Sequence, residues 1–479
     1  MLGPQRAPCE TTVPARPHEA AAATRWILPA TILGSSLGFI DGSVVNVALP
    51  VMERDLGARF ATIQWVVNGY LLTLAGFILL GGALSDRYGR RRIFAIGLLG
   101  FGVTSIACGL APSAAWLIAA RLVQGAAAAL LVPASLAIIG AGYRGEARGR
   151  AIGTWAAAGA LTTALGPPLG GALIDALGWR AVFFINPPIV ALSLLFASRI
   201  RLPQRARRPA PLDTAGAAIA VCALGLLSYG SIAAGEGRSM AGVLATGAAL
   251  PLLWGFVVQE RRFPAPMVPP ALFRNRNFTG ANLLTVLLYA ALTAALFLLP
   301  FLLIRTHGYS AAAAGAAFLP FSIIMGLGSR WTGGLVERIG PGVPLVAGPL
   351  LTAAGFGSLA MTAHLADYAT GILPGLVVIG VGMTLTVAPL TTTVFDSVPG
   401  EQSGVASGVN NAAARVGGLA ATASLGFAFG GSGLESLTDA LITAYRNVMA
   451  AAAVLAMLSA LIALASIRPL WKRPATTRP

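Results

Sequence analysis

The chain contains one lysine, Lys472, which sits in the final basic stretch. A phosphate-binding Walker A loop needs a lysine after its glycines, so ATP hydrolysis by this chain is excluded. Histidine is almost as scarce. His18, His307 and His364 are far apart, and none joins a Cys/His/Asp cluster that would make a metal or catalytic site. Cys9, Cys108 and Cys222 stand singly, which makes neither a disulfide framework nor a metal site. Charge is scarce too. Only 10% of residues are charged, against about 25% in a soluble domain. Neither a catalytic residue nor a metal ligand is assigned, and the chain is not expected to be an enzyme.

What is abundant is apolar material, 56% of residues with a mean hydropathy of +0.76. It comes in 14 runs, beginning near Trp26, Thr62, Ile93, Ala115, Ala151, Ala181, Thr214, Met240, Phe278, Ala312, Val343, Thr370, Ser403 and Tyr445. About 20 apolar residues span a bilayer as helix, so an all-α polytopic membrane protein with 14 spans is predicted. The net charge of +16 fits this reading once its placement is examined. With a cytoplasmic N-terminus, 24 of the 33 basic residues fall on tails and inner loops and six on outer segments; Arg121, Arg330 and Arg415 lie in spans. That asymmetry places both termini in the cytoplasm and turns the basic excess towards anionic lipid rather than nucleic acid. Residues 1–25 and 469–479 read as cytoplasmic tails, the first disordered. A cleavable signal peptide is not expected, because the first apolar run is of full length.

That first run, Trp26 to Pro50, carries Asp41 well inside it. A charge at that depth costs at least about 2.5–3.5 kcal/mol, which makes Asp41 a functional candidate. Arg121 needs a partner for the same reason; a structural tie to backbone carbonyls is its other reading. Arg415 is a second intramembrane cation, read as structural or gating.

Two halves are visible. Gly82-Ala-Leu-Ser-Asp86-Arg87-Tyr-Gly89 recurs as Gly333-Gly-Leu-Val-Glu337-Arg338-Ile-Gly340. Gly149-Arg-Ala-Ile-Gly153 recurs more weakly as Gly404-Val-Ala-Ser-Gly408. Duplicated bundles with a site at their interface are how many secondary transporters are built. The predicted organisation is an N-terminal six-helix bundle over 26–200, a linker with two extra spans over 201–277, and a C-terminal six-helix bundle over 278–468. Thirteen spans, with one run lying in the interface, would put the basic C-tail outside.

The loop from Gly82 through Asp86, Arg87 and Gly89 to Arg90, Arg91 and Arg92 resembles the hallmark loop of the major facilitator superfamily, with Arg91 for the usual lysine. The resemblance implies a gating loop that latches the two halves in one state. Leu117-Ile-Ala-Ala-Arg121-Leu-Val-Gln124-Gly125 is similar to the fourth-span motif of proton-driven members. Gly166-Pro167-Pro168-Leu169-Gly170-Gly171 resembles the fifth-span motif of antiporters, with Thr162 where the family has a further glycine. On physical grounds alone these prolines and glycines make a kinked, closely approached helix. Ile40 to Pro50, Gln64 to Tyr70 and Gly178 to Pro187 look like the fourteen-span drug:proton antiporters of the EmrB/QacA type.

The resemblance implies a bacterial cytoplasmic (inner) membrane protein that exports drugs, confers antibiotic resistance and needs no cofactor beyond the proton gradient. Asp41 and Arg121 are expected to share the cavity of the first half, where conformational change would load and release a proton and a cationic or neutral amphipathic substrate would compete for Asp41. Asn46 and Gln124 are expected to orient it. Phe39, Trp65, Tyr70, Trp155, Tyr289 and Phe297 are candidates to line an aromatic pocket, though single aromatics often serve packing or the lipid interface. The alternative functions are symport, or proton-coupled export of a metabolite such as a siderophore, an amino acid or a secondary metabolite. A pore is a third possibility. The partners expected are a small molecule, protons and lipid, with the chain acting as a monomer.

Overall fold

The computed structural model describes residues 25–200, 211–399, 402–429 and 437–468, with side chains omitted at 160, 329–331, 333–338 and 437–438. The expected tails, most of the 199–210 connection, and the side chains of Glu337, Arg338 and Arg330 therefore lie outside the described residues.

Fourteen helices among those residues are long and apolar enough to cross a membrane. In chain order they are α1 (Ile27–Asp55), α2 (Phe60–Tyr88), α3 (Arg90–Gly109), α4 (Ala114–Gly142), α5 (Gly145–Leu177), α6 (Ala181–Ser198), α7 (Thr214–Gly235), α8 (Ser239–Arg262) and α9 (Arg276–Thr306). There follow α10, broken into Ala311–Ala316 and Leu319–Ile339, then α11 (Gly342–Met361), α12 (Tyr368–Asp396), α13 (Ser403–Phe429) and α14 (Leu437–Ser466). A bilayer offers the backbone no hydrogen bonds, so each crossing satisfies its own as helix. Each apolar run gives one helix, with α5 and α14 starting well before the predicted Ala151 and Tyr445. Hydropathy marks the part of a helix that lies in hydrocarbon; the polar first turns of α5, from Gly145 and Glu146, carry no such mark.

Helices α1–α6 pack as one bundle and α9–α14 as another. The bundles meet along two seams, α2 against α13 and α5 against α10. The inserted α7 and α8 pack on each other, and α7 also lies against α2 and α13. The repeated loop is visible in the backbone. Gly89 between α2 and α3 has φ +98°, and Gly340 between α10 and α11 has φ +81°. Both glycines adopt a conformation that a side chain would strain, at the same point of each half.

Contacts between the halves gather at the end away from the arginine-rich loops. Arg305 of α9 pairs with Glu53 of α1 at 3.0 Å. The Asp175 carboxylate at the end of α5 accepts hydrogen bonds from the Ala311 and Ala312 amides that open α10, at 3.1 and 2.8 Å. The ring of Phe60 meets those of Phe297, Phe301 and Phe429 edge-on. Gln64 donates to the Thr422 carbonyl at 2.7 Å, and Asn68 accepts from the Thr422 hydroxyl. Towards the other end, Gly149 and Gly153 of α5 and Gly404 of α13 have no neighbours where a Cβ would stand. The described polar and aromatic contacts between the bundles are concentrated at one end, while nearer the other Gly408 of α13 still packs on Leu79 of α2.

Candidate functional site

Asp41 lies midway along α1 and Arg121 in the first half of α4, and both side chains are about 1% exposed. Arg121 Nη1 donates to Asp41 Oδ2 at 2.5 Å and to Gln124 Oε1 at 2.9 Å. Its Nε donates to the Val66 carbonyl of α2 at 3.1 Å. The Tyr70 ring lies under the guanidinium, 4.2 Å from its carbon to the ring centre. The two readings of Arg121, an ion pair and a tie to a backbone carbonyl, are thus both realised. Gln124 in turn accepts a weak bond from Cys108 at 3.5 Å.

The arrangement is asymmetric. Arg121 has an acceptor from α2, one from its own helix and an aromatic face besides Asp41. Asp41 has Arg121 alone: Oδ1 accepts no hydrogen bond from a described residue. Removing one member of a buried pair strands the other at a cost of about 3–5 kcal/mol. A proton arriving on Asp41 would leave the buried Arg121 guanidinium with neutral partners only, a carbonyl, an amide and a ring, which offset part of that cost. It also cuts the charged tie, the one among the described residues, from α1 to α2 and α4.

A partly open cavity adjoins the pair. Ser35, Gly38 and Phe39 of α1, Tyr70 of α2, Trp155 of α5, and Asn411 and Arg415 of α13 contribute to its walls, so both halves face it. Tyr70 is shared: it packs on Arg121 and lines the cavity. Trp155 is held by its indole N–H donating to Ser35 Oγ at 3.0 Å, and Ser35 donates on to Ser135 at 2.9 Å. The Phe39 ring meets Trp155 edge-on at 6.1 Å.

Of the predicted aromatic lining, Phe39, Tyr70 and Trp155 come together here. Tyr289, partly buried on α9, lies within electrostatic reach of Arg415 but not in the wall. Phe297 is corrected: it is fully buried, stacked on Phe301 in the cluster that closes the opposite end. Trp65 is partly buried against the core and is not in the wall. Asn46 does not orient Asp41; its amide reaches back to the Gly42 carbonyl at 3.4 Å. Gln124 does join the pair, as a neighbour of Arg121 rather than of Asp41.

In the Gly166 to Gly171 stretch, one face meets α1 and the other meets the second half. A Cβ on Gly166 or Gly170 would strike Ser43 or Val44, and one on Gly171 would strike the Ala311 backbone. Pro167 and Pro168 lie inside α5, and Gly315 of α10 packs on the Pro167 carbonyl. Thr162 approaches the Ser36 hydroxyl of α1 at 3.3 Å. In the hallmark loop, Gly82 lies beside Pro133, Arg91 donates to the Ile200 carbonyl at 3.0 Å, and Asp86, two-thirds exposed, pairs only loosely with Arg90 at 3.4 Å. The Arg87 guanidinium lies over the Tyr88 ring.

Sequence reasoning missed Asp175 and Glu53. Each is an ordinary acid near a span end, and its partner lies more than a hundred residues away.

Comparison with known proteins agrees with the fold. The family model described as Major Facilitator Superfamily matches residues 31–422. A tetracenomycin C resistance and export protein of Streptomyces glaucescens is 36% identical over 406 residues, 83% of this chain and 74% of that one. The multidrug resistance protein Stp of Mycobacterium tuberculosis is 36% identical over 87% of this chain and 76% of its own. A cephamycin export protein of Amycolatopsis lactamdurans is 36% identical over 92% and 90%. Among solved structures, a bacterial homologue of the lysosomal transporter Spinster superposes with a TM-score of 0.66 at 17% identity, over 94% of this chain and 97% of that one. On the family match and these relatives, the chain is a multi-pass membrane transporter rather than an enzyme, and it belongs to the major facilitator superfamily.

Proposed function

We propose that this chain is a proton-coupled exporter of drugs or antibiotic-like small molecules, of the fourteen-span drug:proton type. The arginine-rich face is taken as cytoplasmic, so the end where contacts between the halves gather is the outward one. The reading is carried by the buried Asp41–Arg121 pair, separated from the central cavity by the Tyr70 ring. The relatives, named for resistance and export, supply the direction of transport.

The cycle follows from which helix bears which group. Deprotonated Asp41 ties α1 to α2 and α4 through Arg121. Protonation replaces a full ion pair with a neutral contact and frees α1 to shift. Helix α1 also carries Glu53, which pairs with the second half at the closed end, and packs against the small residues of α5, whose other face meets α10. A change of charge at Asp41 therefore reaches both seams through α1 and α5. A proton taken from outside and released inside would drive alternation between closure at one end and at the other.

The test is a susceptibility panel on cells producing the protein, with and without a protonophore. Raised resistance that the protonophore abolishes, with substrate accumulating inside, is the expected result. Resistance that survives collapse of the gradient contradicts proton coupling.

A further inference from the structure

The central cavity has an electrostatic character that the sequence did not suggest. Among the described residues its walls contain no carboxylate. The nearest, Asp41, is 2% exposed and neutralised by Arg121 behind the Tyr70 ring. The charged side chain that does line the cavity is Arg415, on α13 of the second half. Among the described residues Arg415 has neither an ion-pair partner nor a hydrogen-bond acceptor, and it is only partly buried. Its charge reaches Tyr70 and Tyr289. A guanidinium at membrane depth is expensive and is retained where it faces a cavity, an ion path or a ligand. Every other intramembrane charge described at this depth is paired; this one is offered to the cavity.

Opposite Arg415, across the gap between the halves, stand Trp155, Phe39 and Tyr70. Trp155 is fixed by Ser35 and by its edge contact with Phe39, so it presents a preset aromatic surface. Asn411, one turn before Arg415 on α13, adds an amide to the same wall.

We infer that this cavity recognises an aromatic compound bearing an acidic oxygen, a carboxylate or phenolate, with Arg415 binding the anion from the second half while Trp155 and Phe39 hold the ring system from the first. Guanidinium and carboxylate match bidentately, a geometry that lysine cannot reproduce. A cationic substrate meets repulsion from Arg415 and finds no free carboxylate. Because the two ends of such a ligand touch different halves, its binding is sensitive to their relative position. The inference rests on the export reading for its setting, but it concerns equilibrium binding and is tested without a gradient.

The experiment is isothermal titration of the purified full chain in nanodiscs with two probes of one skeleton, 9-anthracenecarboxylate and 9-(aminomethyl)anthracene. Wild type should bind the carboxylate at least tenfold more tightly than the ammonium compound. Arg415→Gln should abolish that preference, and Arg415→Lys should keep the sign but lose most of the margin. Elution profile and melting temperature establish that both variants are folded. Asp41→Asn should retain the carboxylate preference even where it abolishes gradient-driven transport, which separates failure of this inference from failure of the export reading. Equal or reversed preference in wild type, or a preference that survives unchanged in both Arg415 variants, overturns the proposal.

Discussion

The ring of Tyr70 lies 4.2 Å from the guanidinium carbon of Arg121 and forms part of the central cavity wall. One side chain therefore separates the buried ion pair from the space in which a substrate would sit. Its hydroxyl is buried without a described partner, so the ring rather than the oxygen is the useful part. Tyr70→Phe should leave transport intact and the melting temperature equal or higher, since a buried unmatched hydroxyl costs about 1–3 kcal/mol. Tyr70→Ala should lose about 3–5 kcal/mol of packing and open the pair to the cavity. Pyranine-loaded proteoliposomes would then report a substrate-independent proton leak in Tyr70→Ala and none in Tyr70→Phe.

Asp175 joins the halves through two backbone amides at the start of α10. A carboxylate on a helix N-terminus is worth about 0.5–2 kcal/mol. Asp175→Ala should shift the population towards opening at that end. Spin labels at Asp55 and Ala313 would report it as a longer-distance component, absent or minor in the wild type.

Gly171 and Gly153 lie on the same helix in opposite circumstances. A methyl at Gly171 meets the Ala311 backbone, whereas one at Gly153 meets open space. Gly171→Ala should lower the melting temperature by an amount equivalent to about 1–3 kcal/mol and favour parting of α5 from α10. Gly153→Ala should be neutral or slightly stabilising, because alanine is the better helix former by about 0.5–1 kcal/mol. Thermal unfolding of the two variants in one detergent compares them directly.

His307 follows α9 at the closed end, outside the span. Burial lowers its pKa from the usual 6.5, partly opposed by a hydrogen bond to the Ala363 backbone. The unfolded chain therefore takes up this proton first as pH falls. The contribution of neutral His307 to stability is full above pH 6.5 and is lost as pH drops below it. Melting temperatures at pH 7.5 and 5.5 should differ more for wild type than for His307→Gln.

Much of this was legible in the chain. Each intramembrane charge is costly enough to mark itself, so Asp41, Arg121 and Arg415 stood out, and the apolar runs gave one helix each. Pairwise geometry was not legible. Asn46, five residues after Asp41, is not on the same helical face, and its amide bonds within α1. Phe297 and Phe39 are alike in sequence, yet one seals the closed end and the other walls the cavity. Asp41 and Arg121 were expected to share one cavity; they do meet, at 2.5 Å, but neither contributes to the cavity wall, which Tyr70 forms instead. Asp175 left no trace because its partners are backbone amides of the other half.

The carboxyl of Asp41 as carrier of the coupled proton is tested most directly in inside-out vesicles containing wild type or Asp41→Asn at equal density. An imposed pH gradient, acid inside, should drive substrate uptake and matching proton efflux in wild type. Asp41→Asn should lose both while still exchanging substrate down its own gradient. Gradient-driven uptake at the wild-type rate in Asp41→Asn would contradict the account.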